Sequence, residues 1–162
     1  MSTRDEIVEF IHHETHLMNA ERYDEWLGLL HEDFEYLMPM PVLRDDPAQP
    51  RHSERSLLAW ESVSSLTLRF ERILTDFAWA DRPPAFHRRH LTAVRVAETD
   101  QPHRLAVSAD EIVFRSRVPE GSTITSALRE DIVDVSGEPR LVRRTVLLDV
   151  DRPDLAQIAL LY

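Results

Sequence analysis

The run Trp79-Ala80-Asp81-Arg82-Pro83-Pro84-Ala85-Phe86-His87-Arg88-Arg89-His90 separates two kinds of periodicity. Before it, Val63, Leu66, Phe70, Ile73 and Leu74 recur at helical spacing, up to about Thr75. After it the period is two: His90, Thr92, Val94 and Val96 alternate with Leu91, Ala93 and Arg95. The run therefore connects a helical layer to a sheet. Its paired prolines stiffen the connection. Trp79 is expected to be buried, because an exposed indole on a monomer promotes aggregation. Arg88 and Arg89 are adjacent, so a strand starting here sends one inward and the other outward.

On the N-terminal side, Thr3-x-x-Glu6 reads as a capping box. Ile7, Phe10, Ile11, Leu17 and Met18 then carry a helix to Asn19, with a polar break at Glu14. A second short helix is expected over 23–30, with Tyr23, Trp26, Leu29 and Leu30 on one face. Phe34 to Met38 reads as a short strand. Pro39, Pro41, Pro47 and Pro50 make 39–53 a loop, and Ser53 is placed to cap a third helix. On the C-terminal side, long strands are expected over 105–118, 123–135 and 140–150. Asp100-Gln101-Pro102, Pro119-Glu120-Gly121-Ser122 and Ser136-Gly137-Glu138-Pro139 turn the chain around them. A short last strand is expected over 158–162. Helices first and an antiparallel meander afterwards make an α+β layout in one domain spanning 1–162. The expected shape is a curved, mostly antiparallel sheet wrapped by the N-terminal helices into a cone.

Composition narrows the chemistry. A chain of 162 residues can bury a sizeable core. No apolar run is long enough for a membrane span, and residues 1–6 lack signal-peptide character, so a cytoplasmic location away from membranes is expected. A net charge of -10 argues against binding nucleic acid through phosphates. There is no cysteine, hence no thiolate nucleophile and no cysteine-ligated zinc or iron–sulfur cluster. All 19 basic residues are Arg, which reflects either GC-rich coding or a need for bidentate carboxylate pairing.

Several stretches, in order, resemble one family. Ile73-Leu74-Thr75, Ala78-Trp79-Ala80-Asp81, Pro83-Pro84 and Arg88-Arg89-His90 are similar to a Leu-x-Thr…Ala-Trp-Ala-Glu-x-Pro-Pro-Ser-Arg-x-Arg-His run. Tyr23-Asp24-Glu25-Trp26-Leu27 resembles that family's Tyr-x-x-Trp-Leu opening. Asp33-Phe34-Glu35-Tyr36-x-Met38-Pro39 and Arg143-Arg144-Thr145-Val146-Leu147-Leu148-Asp149 resemble its later strands. The family is the small (beta) subunit of bacterial aromatic-ring-hydroxylating dioxygenases. Phe86-His87 departs from it, standing where Ser-Arg is common.

The resemblance implies a nuclear transport factor 2-like fold and a non-catalytic role. Its partners would be a catalytic large (alpha) subunit and further copies of this chain, in a trimeric arrangement. The chain itself would hold no cofactor. The Rieske cluster and the mononuclear iron would sit on the large subunit, since this chain has no Cys ligands for the cluster. From their residue types, Trp79, Arg82, Arg88, Arg89 and His90 are expected to border a subunit interface, the alternatives being a phosphate or carboxylate site and a surface loop whose Trp plugs the core.

Other residues invite chemistry of their own. His12 and His16 share a helix face at i,i+4 spacing, but they lie off the apolar stripe, and the His-Glu-x-x-His pattern is absent. A solvated or partner-facing surface is therefore the expectation there. Tyr36, His90, Asp110 and Asp131 sit on or near strands and would be acid–base candidates if they faced an apolar cavity. That arrangement would make the chain a free-standing isomerase or dehydratase, or a binding protein without turnover. Arg129 and Asp131 are expected as same-face neighbours on a wet or partner-facing surface.

Overall fold

The computed structural model describes residues 3–74, 83–154, 157–158 and 161–162. Its elements, in chain order, are α1 (Thr3–Asn19), α2 (Tyr23–Leu27), β1 (Leu30–Pro41), β2 (His52–Ser62), α3 (Val63–Leu74), β3 (Phe86–Glu98), β4 (Arg104–Arg117), β5 (Gly121–Asp134) and β6 (Arg140–Leu148). The strands form one curved sheet in the order β2-β1-β6-β5-β4-β3. β1 and β6 run parallel and the other neighbours antiparallel, so the sheet is mixed and mostly antiparallel, as expected. α1 packs across β3, and α3 packs on β1 and β2. Between helices and sheet lies a core that includes Ile7, Ile11, Trp26, Phe34, Met38, Leu66, Val113 and Leu141. Trp26 meets Phe34 and Phe70 edge-to-face, with centroids 6.2 and 5.9 Å apart.

The expected layout is corrected in its first half. A hairpin intervenes between the early helices and α3. β1 is longer than expected, and Leu30 begins it instead of ending α2. Residues 52–62 are a strand, where the proline-rich segment and Ser53 had suggested a loop and a helix start. Leu37 pairs with Trp60 and Met38 with Ala59, and the register breaks at Pro39, which has no N–H to offer. Ser53 does accept bonds from the backbone N–H of Arg55 and Ser56, at 3.2 and 2.9 Å. That is a local turn motif with cap-like chemistry and no helix behind it. The helix-starting pair is Ser62 and Ser65: the Ser65 N–H donates to Ser62 Oγ at 3.3 Å, and the Ser62 N–H to Ser65 Oγ at 2.8 Å.

A second correction concerns β3. A bulge interrupts its pairing with β4 between Thr92 and Arg95, and Ala93 has φ 52° there. The extra residue shifts the alternation by one. Val94 and Val96 therefore pack on the core side with Leu91, instead of sharing the outward face of His90. Residues 161–162 are not a strand, and the rest of the expected last strand lies partly outside the described residues. The connection at 75–82, including Trp79 and Arg82, also lies outside them. Among the described residues no helix is long and apolar enough to cross a membrane.

Candidate functional site

The inner face of the sheet is charged. Among the described residues Glu14, Glu111, Asp131, Arg89, Arg129 and Arg144 are all buried, three carboxylates against three guanidiniums. Strand register explains how they meet. Tyr36 on β1 lies beside Arg144 on β6, and Arg144 beside Asp131 on β5. Arg129 is two residues from Asp131 and so shares its face. Glu111 on β4 opposes Ala127, and Arg89 on β3 opposes Val113. Glu14 comes down from α1, one turn after Ile11 on the buried stripe.

Arg144 makes a forked contact with Asp131: Nε donates to Oδ1 at 2.8 Å and Nη2 to Oδ2 at 3.0 Å. It also reaches Glu14, with Nη2 donating to Oε1 at 2.9 Å and Nη1 to Oε2 at 3.3 Å. Arg129 pairs with Glu14 at 2.7 Å and Asp131 at 3.1 Å, off the hydrogen-bond line, and its Nη1 donates to Glu111 at 3.4 Å. Glu14 further accepts from the Trp26 indole N–H at 2.8 Å and the Thr15 hydroxyl at 3.0 Å. Burial alone would raise the Glu14 carboxyl. The two facing guanidiniums and the Trp26 and Arg144 bonds outweigh it and hold the group down at about 2. Glu111 differs: burial pushes it above the usual carboxylate range, against the pull of Arg129, Arg144 and Arg89.

Arg88 and Arg89 divide as their adjacency requires. Arg88 is exposed. Arg89 is buried and donates from Nε to the Leu161 carbonyl at 2.7 Å. Asn19 at the end of α1 clamps this point, taking the Arg89 N–H at 2.8 Å and donating to its carbonyl at 3.0 Å. An Asn19→Ala exchange is expected to lower stability by about 1–2 kcal/mol in urea unfolding, because two backbone groups lose their partner. His87, half-buried, is pushed down to about 4 by burial and by Arg89 and Arg115.

The other sequence candidates scatter. His12 and His16 are exposed, on the face of α1 opposite the buried stripe. His90 and Asp110 are exposed, and the inward neighbour of Asp110 is Glu111. Tyr36 is buried, and burial raises its hydroxyl far above the ordinary value. The expectation of a wet surface for Arg129 and Asp131 is wrong: they are same-face neighbours, but 1% and 2% exposed. Sequence reasoning also missed Glu14, Glu111 and Arg144 as partners. The signal for Glu14 was present, since a lone carboxylate on an apolar helical stripe calls for a buried cation.

Among the described residues, the buried carboxylates Glu14, Glu111 and Asp131 each face an arginine. Two open grooves, of about 400 and 570 Å³, are lined by residues such as Glu35, Arg104 and Arg143 or Arg51, His52 and Asp149. Neither is lined by any of the six charged groups. Among the described residues no cluster of three or more His, Cys, Asp or Glu side chains is arranged to hold a metal.

The chain is similar to known proteins in both sequence and fold. The family described as "Ring hydroxylating beta subunit" matches residues 13–152. The biphenyl 2,3-dioxygenase subunit beta of Rhodococcus jostii is 29% identical over 91% of this chain and 82% of its own. The 3-phenylpropionate/cinnamic acid dioxygenase subunit beta of Photorhabdus laumondii is 31% identical over 79% of this chain and 72% of its own. In fold, the chain matches a solved chain of naphthalene 1,2-dioxygenase with a TM-score of 0.81 and 21% identity, over 95% of this chain and 82% of the other. The nuclear transport factor 2-like architecture is thus the one present. With its family matched from the middle of α1 to beyond β6, this chain belongs to the ring-hydroxylating dioxygenase beta subunits.

Proposed function

We propose that this chain is the non-catalytic small subunit of a multicomponent ring-hydroxylating dioxygenase and stabilises the assembly of catalytic large subunits. The observation that carries this reading is the family match over residues 13–152. The ion-paired interior supports it, because a scaffold needs rigidity and its inward carboxylates are engaged by arginines. The Rieske cluster and mononuclear iron implied by the family belong on the large subunit. The residues described do not fit them: the chain has no cysteine, and among the described residues His12 and His16 stand exposed and no group of three or more His, Cys, Asp or Glu side chains is arranged to hold a metal. A free-standing isomerase or dehydratase is not favoured by the relatives or by the interior.

The outer face of β3, β4 and β5 supports a subunit contact. Phe114 stands beside Arg88 and Ile124, and Ile112 beside His90. Phe86 and Ile124 are 80% and 72% exposed. Apolar side chains next to an arginine are the usual composition of an interface centre. This face meets a neighbouring subunit of the assembly, which the family reading makes three large and three small chains. Ile124→Asp and Arg88→Ala are each expected to weaken assembly about tenfold, or about 1.4 kcal/mol, with the isolated fold unchanged. Sedimentation of the chain co-produced with a large subunit reads this directly. Unchanged assembly for both variants removes the face from the interface.

The purified chain is expected to contain no stoichiometric iron, while the complex with a large subunit contains it. Elemental analysis showing about one iron per small chain, lost in a His12→Ala/His16→Ala double variant, refutes that division.

A further inference from the structure

The chain folds one short segment of itself into the charged interior. Leu161 and Tyr162 are buried and belong to no helix or strand. Two guanidiniums hold them: Arg89 Nε donates to the Leu161 carbonyl at 2.7 Å, and Arg144 Nη1 to the Tyr162 backbone oxygen at 3.0 Å. The Tyr162 N–H completes the seat, donating to the Tyr36 hydroxyl at 3.4 Å. A peptide oxygen is a weaker partner for a guanidinium than a carboxylate is, and both donors have a carboxylate within reach. Arg144 Nη1 already shares itself with Glu14 Oε2 at 3.3 Å. Leu91 on β3 pairs with Glu111 on β4, so Arg89 stands diagonally across from Glu111 on the inner face, a separation that a long side chain spans. One Glu111 oxygen is buried there without a hydrogen-bond partner among the described residues. The seat is also imperfect at its far end. The Tyr162 hydroxyl lies beside Thr125, yet neither makes a hydrogen bond of ordinary geometry among the described residues. Buried polar groups left unpaired cost free energy, and release of the segment removes that cost.

We propose that Leu161–Tyr162 is a releasable strap, competing with Glu111 for Arg89 and with Glu14 for Arg144, so that the interior has two arrangements. In the seated one, the backbone oxygens of the strap take Arg89 Nε and Arg144 Nη1. In the released one, Arg89 turns to the unpartnered Glu111 oxygen, Arg144 Nη1 turns wholly to Glu14, and Tyr162 leaves the sheet. Every guanidinium keeps an acceptor in both, so the strap opens without unfolding the strands. Local opening of this kind is drawn from the least stable part of a fold. The exchange stands apart from the subunit role, because only the interior of this chain takes part.

The test is amide hydrogen exchange of the full chain, followed residue by residue by nuclear magnetic resonance. In the parent, the Tyr162 N–H is expected to be protected about a hundredfold less than the core amides of Val113 and Leu141, because it opens locally. Protection equal to theirs means that Tyr162 leaves only when the whole chain unfolds, and overturns the strap. Glu111→Gln removes the charge that competes for Arg89. It is expected to raise the protection of the Tyr162 N–H about tenfold relative to that of Val113 and Leu141, toward global opening. A buried residue with a merely structural role predicts the opposite, since losing a carboxylate beside Arg89 and Arg129 loosens its surroundings. Tyr162 protection that is unchanged or lower in Glu111→Gln, relative to the same core amides, overturns the competition. If Glu111→Gln does not fold, Glu111→Asp carries the test: its carboxylate is one methylene shorter, reaches Arg89 less well, and is expected to shift Tyr162 in the same direction. A shift the other way overturns the proposal, and so does the parent measurement alone if Tyr162 opens with the core.

Discussion

Arg144→Ala lowers the stability of the chain by about 3–5 kcal/mol, a large fraction of the roughly 5–15 kcal/mol that holds a domain folded. The arginine is 1% exposed and serves Asp131, Glu14 and the Tyr162 backbone oxygen at once. Its removal leaves two buried carboxylates with Arg129 as their remaining guanidinium. Neither can return to water without opening the sheet, so the cost is that of uncompensated charge plus the vacated volume. Arg144→Lys recovers only part of the loss, because one ammonium cannot span the forked Asp131 contact and Glu14 together. Urea unfolding of the purified variants measures this. Removing Asp131 in the same chain is expected to cost less than the sum of the single exchanges, as contacting residues couple. If Arg144→Ala unfolds at the urea midpoint of the parent, the network is not a structural element.

Acid unfolding exposes the same network through Glu14. Its carboxyl ionises at about 2 in the folded chain against 4.5 when unfolded. A group lowered on folding contributes stability that is fully present above the unfolded value and is lost as pH falls through the folded one. The loss from Glu14 therefore runs from about pH 5 to about pH 2, and amounts to about 3 kcal/mol. Glu111 works in the opposite direction, because burial favours its protonated form and acid relieves it. Stability measured across this window is expected to fall with acid in the parent. In Glu14→Gln, already weaker at pH 7, it falls less steeply. A parent curve that is flat between pH 5 and pH 2.5, or identical slopes for parent and variant, would falsify the assignment of Glu14 as the acid-sensitive anchor.

The legible part of the fold was the part written in period. α1 follows its apolar stripe from Ile7 to Met18, and β4, β5 and β6 lie within a residue or two of their alternating runs. The hairpin of β1 and β2 was not legible, because prolines, Ser53 and a mixed apolar run over 57–60 suggest a loop and a helix as well as a strand. Pairing with β1 decided between them, a contact local propensity cannot contain. The β3 bulge was hidden for a related reason: a single residue with positive φ reverses the faces of everything after it.

By itself, then, the sequence determined the class, the family and the same-face relations: Arg129 with Asp131, and Arg88 opposite Arg89 in facing. It did not determine which face of β5 was inside. An alternating strand marks two faces equally well, and a face with Arg129 and Asp131 reads as wet when no partner is in view. Only the tertiary structure supplied the partners, placing Glu14 from α1, Glu111 from β4 and Arg144 from β6 around them. Charge is costly to bury alone and tolerable to bury in opposed groups, so the direction of that face was a property of the assembled sheet and helix rather than of any one strand.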